Sequence, residues 1–161
     1  MLKINKNELL NKVENVVNCT TDKSTLPILS NILLQVIDGE LVVSACNLEV
    51  YACDKVAIKE GQAMDDVCID GRKFYEFLKR SEGEEVIIEN TNNSVKFICG
   101  EGEFIMQNED SAKFPVNAFS EQDEEVNILK ITKDGLNKAI KHVGFSVSKH
   151  SSDIIYKCVN I

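Results

Sequence analysis

No stretch of this sequence approaches the run of roughly 20 apolar residues needed to span a bilayer. The opening residues, Met1-Leu2-Lys3-Ile4-Asn5-Lys6, lack the apolar core of a secretory signal. A cytoplasmic protein with no membrane partner is therefore expected. The six cysteines (Cys19, Cys46, Cys53, Cys68, Cys99 and Cys158) form no C-x-x-C pair, and the only histidines, His142 and His150, lie remote from any such pair. Structural zinc takes about four soft ligands at short spacing, so no metal is expected. Cys46, Cys53, Cys68 and Cys99 fall within apolar, strand-like runs and read as reduced, buried thiols. A thiol hydrolase would pair a cysteine with a histidine, and Gly100-Glu101-Gly102 lacks the G-K-[ST] ending of a phosphate loop. Neither catalysis nor a cofactor is expected. Positive charge is also scarce: 18 Lys and Arg against 26 Asp and Glu leave a net charge of −8. Net charge alone argues against a nucleic-acid binder, so the placement of the bases has to decide that question.

What the chain does have is an internal repeat. Its 161 residues suffice for one domain and part of another. Shifted by 127 positions, Leu2-Lys3-Ile4 falls on Leu129-Lys130-Ile131, Lys6 on Lys133, Leu9 on Leu136, Val13 on Ile140 and Val16 on Val143. Thr21 then meets Ser148, Ser24 meets Ser151 and Ile28 meets Ile155. The pattern in both places is a short strand, an amphipathic helix, a Ser/Thr-rich loop and another strand. The acidic segment from Glu109 to Glu125, which holds Phe114-Pro115, reads as a linker. The expected organisation is a complete domain over 1–122 and the strand, helix and strand that open a second over 123–161.

Within the first copy, Leu2 to Lys6 alternate as a strand and Asn7 is the expected cap of the next helix. Leu9, Leu10, Val13, Val16 and Val17 share one helical face, opposite Asn7, Glu8, Asn11, Lys12 and Asn15. Ile28 to Ile37, Leu41 to Ala45 and Leu48 to Ile58 read as strands, with Asp38-Gly39 as a hairpin turn. Asp66 to Asp70 is a strand that leads into a helix capped by Asp70, and Glu85 to Asn90, Ser94 to Cys99 and Glu103 to Gln107 follow as strands. The domain thus contains two similar halves. The fold class is α+β, with two helices laid on antiparallel sheet.

At 100° per residue the second helix turns Phe74, Phe77 and Leu78 one way and Arg72, Lys73, Lys79 and Arg80 the other, with Glu76 as the one acid among them. The helix that opens the second copy sets Leu136, Ala139, Ile140 and Val143 against Lys138, Lys141 and His142, flanked by Lys133 and Lys149. A basic helix face is commonly a solvated face and nothing more. Two such faces in an acidic protein can also draw phosphate without reading bases.

The segment Lys23-Ser24-Thr25-Leu26-Pro27-Ile28-Leu29-Ser30-Asn31-Ile32-Leu33-Leu34 resembles the loop and strand after the first helix of bacterial DNA sliding clamps. Asp38-Gly39, Asn47-Leu48-Glu49, Gly71-Arg72-Lys73-Phe74, Phe114-Pro115 and Phe145-Ser146-Val147-Ser148 follow in the order that family shows. The resemblance implies the clamp fold, three similar domains per chain and two chains closed head to tail around duplex DNA. It implies a processivity factor with sequence-independent DNA contact, partnered by other clamp subunits, polymerase and clamp loader. It also implies DNA-facing roles for Lys23, Arg72 and Lys73, with His150 near the path of the DNA. Charge geometry adds Lys79, Arg80, Lys138, Lys141 and Lys149. Phe104 and Met106 fall where the family's subunits meet, with a core role as an equal competitor. Asp153-Ile154 departs from the Arg-Pro usual after the second Ser/Thr-rich loop, and Cys158 from a glycine. The length leads one to expect that the family's polymerase pocket is absent and that this chain alone closes no ring. A truncated clamp acting as a decoy or regulator is the alternative reading.

Overall fold

The computed structural model describes residues 1–61, 63–91, 93–116 and 130–160. The chain divides into two units, Met1–Ser120 and Glu121–Ile161.

The first unit runs β1 (Leu2–Asn5), α1 (Lys6–Val17), β2 (Asn31–Ile37), β3 (Glu40–Cys46), β4 (Tyr51–Glu60), then β5 (Val67–Asp70), α2 (Gly71–Arg80), β6 (Glu85–Asn90), β7 (Ser94–Cys99) and β8 (Gly102–Gln107). Each half is therefore a strand, a helix and three strands. The eight strands make one antiparallel sheet in the order β5-β2-β3-β4-β1-β6-β7-β8. Each opening strand inserts beside the first strand that follows the helix of the other half: Ile4 faces Val86 across β1 and β6, and Ile32 faces Ile69 across β2 and β5. The sheet also curls back on itself. Glu109, just past β8, donates its N–H to the Cys68 carbonyl of β5 at 2.8 Å.

The two helices cover one face of the sheet. Leu9, Val13 and Val16 of α1 and Phe74 and Leu78 of α2 are buried with Ile4, Ile32, Leu34, Val43, Ile88, Val95 and Phe97 in a single core. Alternate residues of a strand point to opposite faces, so Leu33, Cys46 and Cys68 lie on the far side, where Phe114 covers them. The linker expected from Glu109 therefore begins later. Its first part makes a 3-10 turn at Ser111–Lys113 and lays Phe114, only 4% exposed, on the sheet. Residues 117 to 125 lie outside the described residues.

Several local expectations shift. Asn5, not Asn7, caps α1, accepting from the Glu8 N–H at 3.0 Å, because β1 ends one residue sooner than its alternation suggests. Ile28 belongs to a 3-10 turn, Pro27–Ser30, that Pro27 opens with its fixed φ. Leu48 is no strand residue: it sits at φ 72° in a turn where the Asn47 side chain accepts from the N–H groups of Glu49 and Val50. Asp38-Gly39 makes the hairpin turn, with φ of 52° and 78°, the left-handed pair that matches strand twist. Cys46, Cys68 and Cys99 are buried, whereas Cys53 is exposed on β4.

In the second unit, α3 (Lys133–Val143) is capped by Thr132, whose Oγ1 accepts from the Gly135 N–H at 3.2 Å. Leu129 lies outside the described residues, and Lys130 and Ile131 are not in a strand. The strand expected after the loop is instead a 3-10 turn, Ile154–Lys157, capped by Asp153. That turn falls on Pro27–Ser30 at the same 127-residue offset. So do the hydrogen bonds around it: Thr21 N–H to the Leu29 carbonyl and Ser148 N–H to the Tyr156 carbonyl are both 2.8 Å long. Leu26 N–H to Ser24 Oγ (3.0 Å) and Asp153 N–H to Ser151 Oγ (3.1 Å) match as well. Burial differs. Ile140 and Val143 are 41% and 45% exposed, whereas Val13 and Val16 at the equivalent positions are buried. No strand covers α3 among the described residues of its unit.

Candidate nucleic-acid interface

The second helix starts at Asp70, whose carboxylate accepts from the Lys73 N–H at 2.9 Å. Gly71 follows because β2 leaves no room: a Cβ there would stand 2.7 Å from Ile32 Cγ2 and 3.3 Å from Thr20 Cγ2. Phe74 is fully buried with its ring 4.5 Å from that of Phe97, and Phe77 stacks on Phe104 at 5.3 Å with the planes 10° apart. Burying aromatic rings of this kind contributes about 1.5–3 kcal/mol each, which fixes the rotation of the helix. The opposite side is then committed to solvent, and Arg72, Lys73, Lys79 and Arg80 are all exposed there. Lys79 and Arg80 lie in the last turn, where the helix dipole favours cations.

The basic residues are not bare. Arg72 Nε lies 3.6 Å from Asp22, Lys73 Nζ 3.3 Å from Asp70, and Arg80 directs Nη2 (2.9 Å) and Nε (3.0 Å) to Glu76. The Lys79 ammonium sits 5.5 Å from the Tyr75 ring centroid, a cation–π distance. Exposed pairs of this kind are worth about 0–1 kcal/mol. They orient the cations and leave all four on the exposed side of the helix. Lys23, exposed in the loop after α1, has its N–H on Thr21 Oγ1 at 3.3 Å.

The first helix packs beside the second and is tied to it by Tyr75, whose hydroxyl donates to Glu14 at 3.0 Å. Lys12, expected on its outer face, is turned toward β4: its ammonium reaches Asp54 at 2.9 Å, and Asn15 donates to the other oxygen of Asp54 at 2.8 Å. Burial would raise the pKa of Asp54, but the bonds from Asn15, Lys12 and the Lys55 N–H outweigh it and hold the carboxyl below the usual range. What remains exposed on α1 is Asn7, Glu8, Asn11, Glu14 and Asn15, with Asn18 just past its end, and no cation is among them.

Ion pairs also form on the other surface of the sheet. Glu85 bridges Lys3 (2.8 Å) and Lys59 (3.0 Å), and Glu103 meets Lys96 at 2.9 Å. The hydrogen bonds from Lys3 and Lys59 keep the Glu85 carboxyl below its ordinary pKa.

In the second unit, taken by itself, Lys138 and Lys141 are exposed on α3, and Lys149 and His150 are exposed in the loop that follows. The His150 N–H reaches Ser148 Oγ at 3.4 Å, as the Lys23 N–H reaches Thr21.

On β8, Met106 is 7% exposed and belongs to the core, and Phe104 is half-buried against Phe77. Among the described residues the strand pairs with β7 alone, and its second edge lies beside the groove lined by Pro27, Lys73, Ile105 and Lys113. What β8 offers outward is this edge, Ile105 at 60% exposure and part of Phe104. Asp22, Asp54 and Tyr75 were not among the residues expected to shape this surface. The two acids meet their cations across 50 and 42 positions of sequence, so no spacing rule exposes them.

The family model for the DNA polymerase III beta subunit, N-terminal domain, matches residues 1–118. The beta sliding clamp of Buchnera aphidicola is 24% identical over 147 residues, covering 91% of this chain and 39% of that protein. The beta sliding clamp of Escherichia coli K12 is 27% identical over 113 residues, 70% of this chain and 31% of that protein. Among solved structures, the Bacillus subtilis DNA polymerase sliding clamp has a TM-score of 0.85 at 22% identity, covering 96% of this chain and 42% of that one. The chain thus spans well under half the length of these relatives. With a family model over 1–118 and the same fold in the solved clamp, the chain belongs to the DNA polymerase III beta subunit family.

Proposed function

We propose that this chain is the leading portion of a sliding clamp and that its helix-bearing face lies against duplex DNA. In that role Lys23, Arg72, Lys73, Lys79 and Arg80 of the first unit meet phosphates. Residues 123–161 open a second copy of the same domain, which adds Lys138, Lys141, Lys149 and His150. The observation that carries this reading is the division of α2: Phe74 and Leu78 are fully buried and Phe77 partly so, while its four bases stand exposed together. Contacts of that kind release counterions and ignore base identity, which is what a ring that must slide requires. The hydrogen bonds shared at the 127-residue offset support the second copy. The second edge of β8, with Phe104 beside it, is suited to pairing with a strand of another clamp subunit. DNA polymerase and clamp loader are the expected partners of the assembled protein, and the cytoplasm its compartment. The decoy reading has no observation of its own to favour it.

The experiment is a titration of labelled duplex DNA by fluorescence anisotropy across a salt series, with the chain and its R72Q/K73Q/K79Q/R80Q variant. The expected result is binding indifferent to sequence, with log K falling linearly in log salt by about 0.9 per phosphate neutralised. The variant should bind more weakly with a shallower slope. Equal affinity and slope for the two proteins would reject α2 as the DNA-facing element.

A further inference from the structure

We propose that Asp22 restrains Arg72 and so limits how firmly this end of the basic face grips a phosphate; the inference rests on the DNA-facing reading of α2. The two side chains come from different segments, the loop after α1 and the first turn of α2. Asp22 Oδ2 lies 3.6 Å from Arg72 Nε, with the side chains 61% and 66% exposed. That distance is too long for a hydrogen bond, so the pair is held by charge and can be exchanged. Among the described residues Arg72 has no other ion pair or side-chain hydrogen bond. The acid stands at the Nε edge of the guanidinium, one of the edges from which arginine makes its paired bonds to phosphate. A phosphate approaching Arg72 must displace Asp22 or bind beside its negative charge.

The carboxylate has no other task. Asp70 is the cap of α2, and Glu76 supports the same helix four residues before Arg80, but among the described residues the side chain of Asp22 makes no hydrogen bond. The loop is held by neighbours: the Thr20 hydroxyl on the Val17 carbonyl, Thr21 Oγ1 on the Lys23 N–H and Ser24 Oγ on the Leu26 N–H. In the second unit the position 127 residues on is Lys149, and there the bonds that Ser148 Oγ and Ser151 Oγ accept are in the same places. The loop therefore accepts a lysine where the first copy has the acid. An acid that the backbone does not need, set against the arginine at the start of a basic helix, tempers affinity.

The test uses the full chain and a labelled duplex at low salt, with D22N, D22K, R72Q and D22N/R72Q. Freeing Arg72 from an exposed ion pair of this kind should tighten binding about threefold. D22K should tighten it further. The gain from D22N should vanish in the R72Q background, which separates a restraint on Arg72 from a general change in charge. The Arg72 Nε–H resonance should move in D22N and mark the pair directly. Wild-type affinity in D22N, or an undiminished gain in D22N/R72Q, overturns the inference while leaving the DNA reading intact. No binding by any of the proteins, wild type included, overturns the DNA reading and this inference with it.

Discussion

Replacing Asp70 separates two things that one carboxylate does. One oxygen accepts from the Lys73 N–H at 2.9 Å and closes the first turn of α2; the other lies 3.3 Å from the Lys73 ammonium. Asparagine can do the first and not the second, whereas alanine can do neither. Losing a cap costs about 0.5–2 kcal/mol, centred near 1. Losing negative charge at a helix start costs about 0.3–1 kcal/mol. The ion pair adds little, because the lysine side chain is 70% exposed and screened. The Asp70 backbone stays paired with Asn31 in either variant. D70A should therefore lose about 1.5–2 kcal/mol and D70N about 0.5. Urea unfolding followed by circular dichroism reads this as two midpoint shifts at unchanged slope. Both variants remove the same charge from the basic face, so both should bind duplex DNA better, and to the same degree. If the two variants were equally stable, the carboxylate would not be acting as a cap. If D70N bound DNA more weakly than the parent, the electrostatic account of the face would be wrong.

At Gly71 two effects oppose each other. Alanine would gain about 1 kcal/mol of helix propensity, but its methyl meets Ile32 Cγ2 at 2.7 Å in a full core, where overpacking costs about 1–3 kcal/mol. G71A should thus unfold at lower urea than the parent. The hydrogen-bonded Asp54 carboxyl contributes stability that is present above its unfolded pKa of 3.8 and lost as pH falls through its lower folded value. The stability gap between parent and D54N should accordingly be open at neutral pH and close in acid unfolding, and a gap independent of pH would refute the assignment. Native thiol labelling should proceed fast at Cys53 and Cys158 and slowly at Cys46, Cys68 and Cys99. Burial pushes the Cys68 thiol up to about 11, against a hydrogen bond from Asn31, so mass spectrometry should find it among the last modified.

What could be read from the sequence was local. The Asp70 cap, the division of α2 and the Asp38-Gly39 turn each depend on residues within a few positions of one another, and the structure has all three. The Asn5 cap was misplaced because Asn5 and Asn7 are equally good caps, and where β1 ends decides between them. The turn at Ile154–Lys157 looks like a strand because Ile-Ile-Tyr favours extended backbone, yet Asp153 caps it as a turn. Phe114 reads as linker in the sequence because its partners, Leu33, Cys46 and Cys68, are spread over three strands. Those strands did carry a sign of it. Asn31–Ile37 and Glu40–Cys46 are apolar on both faces, the pattern of a strand covered twice. Of the basic face, the positions of the cations were legible and their acidic partners were not. Lys12 was read as outward for that reason, since Asp54 is fixed beside it only by the register of β4.

The position of β1 has a consequence for how the protein comes into being. Its four residues are made before either of their partners, yet they hold the two halves together, paired with β4 on one side and β6 on the other. During synthesis at roughly 5–20 residues per second, β6 follows on the order of ten seconds later. Until then the leading segment has no finished place, and the nascent domain waits on its most distant contact. An extension fused ahead of β1 would ride on a strand that waits for the second half of the domain to be made.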